Sequence, residues 1–173
     1  MLTATEPSYS SRWQRLVLWL WVMNLGVAFG AGLYEARIVV PDWLYVLPNG
    51  QWFWDAAAAR HSDTGLRFWA YVSTGPLTLL TLTSLVLAFR AGKPLRNTWL
   101  LGAGVGIVER VFTFVYFIPN MLDLMSKELT QSAAVPLAQQ WQTFNEVRHV
   151  LLLGAWIVSL KAFAMAAALA PTK

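Results

Sequence analysis

The residues that could do chemistry in this chain sit inside its apolar stretches. Glu109 lies within VGIVERVFTFVYFIPNML, residues 105–122, and Arg148 and His149 lie within NEVRHVLLLGAW, residues 145–156. An ionised side chain in mid-bilayer costs about 2.5 kcal/mol or more, and such groups usually pair or serve a function. A buried carboxylate or imidazole is a candidate general base. A guanidinium beside it is a candidate for stabilising a developing oxyanion.

Spacing gathers further residues around these. Trp141, Asn145, Arg148 and His149 follow i, i+4, i+7 and i+8, one helical stripe. Glu109, Phe112, Tyr116 and Asn120 follow i, i+3, i+7 and i+11, which reads as a second stripe. At 1.5 Å per residue, Glu109 lies about 14 Å below an outer helix end near Ile118, and His149 about 14 Å below one near Gln140. The two stripes therefore predict a shared pocket in which Glu109, Arg148 and His149 satisfy one another, with Glu35, at the outer end of the first span, or Arg110 joining them. Arg110 is about 100° around the helix from Glu109, so the alternative is that it faces a different neighbour. The plainer alternative is a Glu109–Arg148 ion pair that only fixes helix register. His149, Glu109 and Glu35 match no recognised metal-ligand spacing, so no metal is expected.

The elements that must position these residues follow from composition. Of the 173 residues 57% are hydrophobic and 13% charged, against about 25% charged in water-soluble domains. Ten tryptophans point to membrane interfaces. Spans are predicted at about 16–35, 68–89, 98–118 and 144–169, each near the ~20 residues a bilayer requires. The expected fold is therefore all-α: a single integral membrane four-helix bundle over residues 1–173. An aromatic-rich outer loop, PDWLYVLPNGQWFWDAAAARH, joins helices 1 and 2. That loop is expected at the headgroup layer, as an aromatic belt or a lid, with Asp55–His61 as a short helix and His61 at the surface.

Further signals are local. Gly26/Gly30 and Gly102/Gly106 are four-residue spacings that let helices approach. Pro76 is expected to kink the second span, and Lys161 to snorkel toward the cytoplasmic headgroups. The absence of cysteine excludes disulfides, thiol catalysis and thiolate metal sites. The +4 net charge is scattered and carries no nucleic-acid signature. Arg12, Arg15, Arg90, Lys93, Arg96 and Lys173 flank one side, so both termini are expected in the cytoplasm. The N-terminal MLTATEPSYSSRWQR lacks the pattern of a cleaved secretory signal, so the first helix is expected to be retained as an anchor.

FIPNMLDLM followed by W-x-x-F-N-E-V-R-H-V-L resembles a four-helix membrane family that includes the fungal anthrone oxygenases and many bacterial members of unknown function. Pro119, Asn120, Trp141, Asn145 and Arg148 match its pattern, and GAGLYEARIVVP resembles its first-span ending. Met121 departs from it where a second asparagine is common. The resemblance implies oxygenation of an aromatic or phenolic small molecule without a cofactor, in a bacterial inner membrane. A base, Glu109 or His149, would remove a proton. The resulting anion would pass an electron to dioxygen, and the radical pair would recombine. Arg148 and Asn145 would stabilise the oxyanion, while Trp141, Phe112, Tyr116, Asn120 and Glu35 would line the substrate site. The competing expectation is a non-catalytic carrier, a lipid- or quinone-binding protein, or an assembly partner. On either reading the partners are membrane lipid and a hydrophobic small molecule.

Overall fold

The computed structural model describes residues 11–126 and 128–169. The expectations for the first ten residues and for Lys173 lie outside that range. Four helical stretches are long and apolar enough to cross a membrane: Arg12–Asp42, Gly65–Phe89, Leu95–Met125 and Gln131–Ala168.

The first stretch begins as α1, Arg12–Tyr34. Ser11 caps it by accepting from the Gln14 backbone N–H while the Gln14 side chain accepts from the Ser11 N–H, satisfying two otherwise orphaned donors. A π-helical turn, Glu35–Val39, and a 3-10 turn, Val40–Asp42, prolong it. The aromatic loop then folds into an antiparallel hairpin, β1 Leu44–Val46 and β2 Trp52–Trp54, with Leu44 opposite Trp54. Gly50 takes the positive φ of 84° that closes its turn. Helix α2, Ala56–Ser62, starts on an Asp55 cap and stops at Asp63, whose left-handed φ of 45° an aspartate tolerates.

The second stretch is π-helical over Gly65–Thr74 and then α-helical as α3, Pro76–Phe89. Proline at the first position of α3 costs that helix no hydrogen bond. The third comprises α4, Leu95–Phe112, a π turn, Thr113–Phe117, and α5, Ile118–Met125. The fourth is a single helix, α6, Gln131–Ala168. It begins well before the predicted 144 because its first turns pack on the hairpin rather than extend an apolar run.

Helices α1, α6, α4 and α3 pack in that order around a four-helix bundle. Its core holds Leu18, Trp21, Leu25, Leu77, Trp99 and Leu152, all nearly inaccessible. Trp21 donates its Nε1–H to Thr81 Oγ1 at 3.0 Å, giving the indole a partner where no water reaches. The glycine pairs divide unequally. Gly102 and Gly106 lie against Val158, Trp21 and Thr81, and Gly26 lies against Trp156, whereas Gly30 meets nothing.

A second core lies at the hairpin end and unites Trp43, Trp54, Phe117, Leu124, Ala138 and Trp141. Trp43 and Trp54 meet edge to face at 6.2 Å. Gln131 accepts from the Trp54 N–H and donates to its carbonyl, and the Trp54 indole donates to the Leu124 carbonyl at 2.8 Å. The loop is thus a docked cap. The surface also changes character along α6: Gln131, Ser132, Gln140, Thr143 and Glu146 are exposed up to one level, and Val147, Val150, Ile157 and Leu160 beyond it.

Candidate binding site at the junction of bundle and cap

The three π-helical segments converge on one cavity. A π turn adds a residue per turn and re-aims every side chain after it. Glu35 comes from the first segment, Trp69, Ala70 and Ser73 from the second, and Thr113 and Phe117 from the third. Trp141 and Arg148 of α6 and Met121 and Met125 of α5 complete the wall. The cavity has a volume of about 360 Å³. Leu66 and Leu122 stand at its open side, 68% and 60% exposed.

Glu109 does not meet Arg148 or His149 as expected. It is 1% exposed and is held by its own neighbour: Arg110 Nε donates to Oε2 at 2.6 Å and Nη2 to Oε1 at 2.7 Å. Thr113 Oγ1 adds a bond to Oε1 at 2.9 Å. The remaining Arg110 nitrogen, Nη1, donates to the carbonyl and hydroxyl of Ser73, each at 3.1 Å. Arg110 therefore folds back along α4 rather than facing a separate neighbour, and the pair ties the third stretch to the second. It is closed: both carboxylate oxygens are occupied, and Glu109 is not on the cavity wall.

The second predicted stripe fails for a related reason. Beyond Phe112 the α-helical period no longer applies, so burial runs Glu109, Thr113, Phe117 instead of Glu109, Phe112, Tyr116, Asn120. Phe112 and Tyr116 stack with Phe144 at 5.9 and 5.0 Å, away from the cavity wall. Asn120 donates to the Tyr116 carbonyl at 2.7 Å.

The α6 stripe holds as a buried face, but its members look in different directions. Trp141 donates to the Phe117 carbonyl at 3.3 Å and lines the cavity. His149 packs toward α1: its ring is edge-on to Phe29 at 6.5 Å, and a methyl group on Gly32 would stand 2.6 Å from Nε2. Gly32 is thus required to be small. His149 Nδ1 is 3.8 Å from Glu146, and neither ring nitrogen has a hydrogen bond. Asn145 is 1% exposed, with both amide atoms unbonded.

Arg148 does face the cavity. Its guanidinium carbon lies 4.7 Å from the Phe117 ring centre and 5.6 Å from that of Trp69, an aromatic clamp for a planar cation. No acceptor among the described residues bonds to it, and its Nε is buried without a partner. Glu109 and Glu35 act on it only at longer range. Glu35 lines the same cavity, where Thr64 and Trp69 donate to its Oε1 at 2.7 and 2.8 Å and leave Oε2 unbonded.

The arrangement can grip an oxygen-bearing head at Arg148, accept a donor at Glu35 Oε2 and enclose apolar surface between. Sequence spacing missed Trp69, Thr64, Ser73, Thr113 and Phe117. The available signal was the need of a buried Glu35 for donors, which neighbouring Thr64 and Trp69 supply. No protein-family model matches the chain, and neither curated proteins nor solved structures give a match.

Proposed function

We propose that this is an integral membrane protein that binds an amphipathic small molecule in the cavity, with Arg148 as the anchor of its polar head. The observation that carries this reading is the unmatched guanidinium: clamped by Phe117 and Trp69, facing an apolar-walled cavity, with no acceptor bonded to it among the described residues. A guanidinium recognises oxyanions and carbonyl oxygens through a fixed fork of N–H donors. A protein interior rarely leaves such a group unsatisfied without a ligand or water to fill the role.

The surface supports a depth for the site. Arg37 and Glu146 form an exposed ion pair at 3.4 Å, which is poorly suited to acyl chains. The hydrocarbon edge accordingly falls at that level. The apolar stretches below it, Trp13–Tyr34 and Val147–Ala168, are each about 33 Å long, close to the ~30 Å of a bilayer core. The cavity then sits at the headgroup layer, with Leu66 and Leu122 toward the lipid. Positive charge at the other end, from Arg12, Arg15, Arg90, Lys93 and Arg96, favours cytoplasmic termini and an inner-membrane setting.

The test is native mass spectrometry of the detergent-extracted protein. The expected result is a co-purified amphiphile retained by the wild type and lost from Arg148→Ala at unchanged helicity. Equal retention by both proteins would contradict the reading.

One observation favours a second reading, cofactor-independent oxygenation of a phenolic or aromatic molecule resembling the anthrone oxygenase reaction. Glu35 and Arg148 line one cavity, so a base and an oxyanion partner share it. The base would then be Glu35, since Glu109 is closed and His149 faces α1. This reading expects Glu35→Gln to abolish oxygen uptake with a phenolic substrate while leaving binding intact.

A further inference from the structure

Besides the cavity, a separate apolar groove of about 340 Å³ lies between the second and third stretches, lined by Thr78, Leu82, Ile107, Val111, Phe114 and Val115. Cavity and groove are both walled by the second and third stretches but share no lining residue. The cavity takes Ser73 and Thr74 on one side and Thr113 and Phe117 on the other. The groove takes Thr78 and Leu82 on one side and Ile107 and Val111 on the other, and reaches Phe114 and Val115 next to the cavity's Thr113. The junction is the Arg110–Ser73 contact: Arg110 borders the groove and Ser73 borders the cavity. Arg110 offers no free charge there, since Glu109 neutralises it. From Ile107 to Val115 the groove runs along about 12 Å of the third stretch.

A head site with an unmatched cation beside an apolar groove suits one molecule with a polar head and a chain. We infer that the ligand is a chain-bearing lipid whose oxyanion head, a phosphate or carboxylate, bonds to Arg148 and whose chain lies in the groove of Leu82, Val111 and Phe114. The inference rests on the reading of the cavity as a binding site, and it selects a lipid over a compact aromatic molecule. Glu35 and Asp63 also border the cavity, which confines the anion to the Arg148 end. The unbonded Glu35 Oε2 suits a hydroxyl donor on the same head. Phosphate plus hydroxyl is the chemistry of a polyol phosphate headgroup.

The test titrates the purified, delipidated protein by native mass spectrometry with four probes: long-chain phosphatidylglycerol, its short-chain form, a long-chain diacylglycerol lacking the oxyanion, and inorganic phosphate. Long-chain phosphatidylglycerol should bind tightest. The diacylglycerol and inorganic phosphate should each be weaker by tenfold or more, on the order of the loss of one charge-assisted contact or one buried chain. Val111→Trp and Leu82→Trp replace side chains 55% and 49% exposed, so the fold should accommodate either, which circular dichroism checks. Each should weaken the long-chain lipid about tenfold while leaving the short-chain form unchanged.

If both tryptophan variants bind the long-chain lipid like the wild type, the groove does not hold the chain and the inference falls, while the cavity reading stands. If Arg148→Ala binds every probe like the wild type, the cavity reading itself falls. Phosphate binding as tightly as the lipid would leave an anion site without a chain, which also overturns the inference. So would a dimer of the wild type that the tryptophan variants dissolve, since the groove would then seat a second copy.

Discussion

At the scale of single residues, two buried arginines have opposite fates. Arg110 has five polar contacts and a carboxylate partner; Arg148 has aromatic faces and no acceptor among the described residues. This difference separates structure from function. Removing Arg110 strands a buried carboxylate, so Arg110→Ala should cost about 3–5 kcal/mol of stability. Arg110→Met combined with Glu109→Gln should recover much of that loss, because no charge is then left alone. Thermal unfolding in detergent, followed by circular dichroism, measures both. Arg148→Ala should cost far less, since it breaks no ion pair. The sequence made all three charges conspicuous but not their partners. Adjacent residues such as Glu109 and Arg110 diverge by about 100° on a helix, so spacing argued against pairing them. Only the length of the arginine side chain, which lets it fold back, reverses that conclusion.

At the scale of elements, the four helices were legible because length and apolar composition alone define them. The α6 stripe was also legible, since α6 keeps one period throughout. What stayed hidden was where the period changes. The π segments at Glu35–Val39, Gly65–Thr74 and Thr113–Phe117 have no plain sequence signature, and all three border the site. The α1–α6 contact supplies a test of close packing. Gly32→Ala puts a methyl group 2.6 Å from His149 Nε2, and such overpacking should cost about 1–3 kcal/mol. In a His149→Ala background the same substitution should be nearly neutral. A double-mutant cycle on unfolding midpoints measures this coupling, and equal costs in the two backgrounds would dissociate His149 from Gly32. The hairpin gives another. Trp54 fills the cap core at 2% exposure and bonds to Leu124, so Trp54→Ala should cost about 3–5 kcal/mol. Loss of ligand binding should accompany it, because the cap flanks α5.

At the scale of the whole molecule, the chain combines a membrane-type bundle core with a second, cap core. Composition foretold the first. It could not foretell the second, because a tryptophan-rich loop reads equally as an interfacial belt or as a folded cap. The docking of Trp54 by Gln131 depends on residues 77 positions apart in sequence. Orientation is testable with unusual economy, since the chain has no cysteine to remove. A membrane-impermeant maleimide applied to intact cells should label Asn49→Cys in the hairpin turn. It should label Lys93→Cys in the α3–α4 link only after the membrane is opened. The reverse pattern would invert the topology.

The central claim is that Arg148 completes its coordination with a ligand drawn from the bilayer. An experimental density map of the wild-type protein in lipid nanodiscs examines that claim most directly. The account predicts density for a polar head within hydrogen-bond distance of the Arg148 guanidinium, continuous with a chain that descends between α3 and α4. A map with Arg148 paired to Glu109 or Glu35, and the space between Trp69 and Phe117 closed by protein side chains, would contradict it.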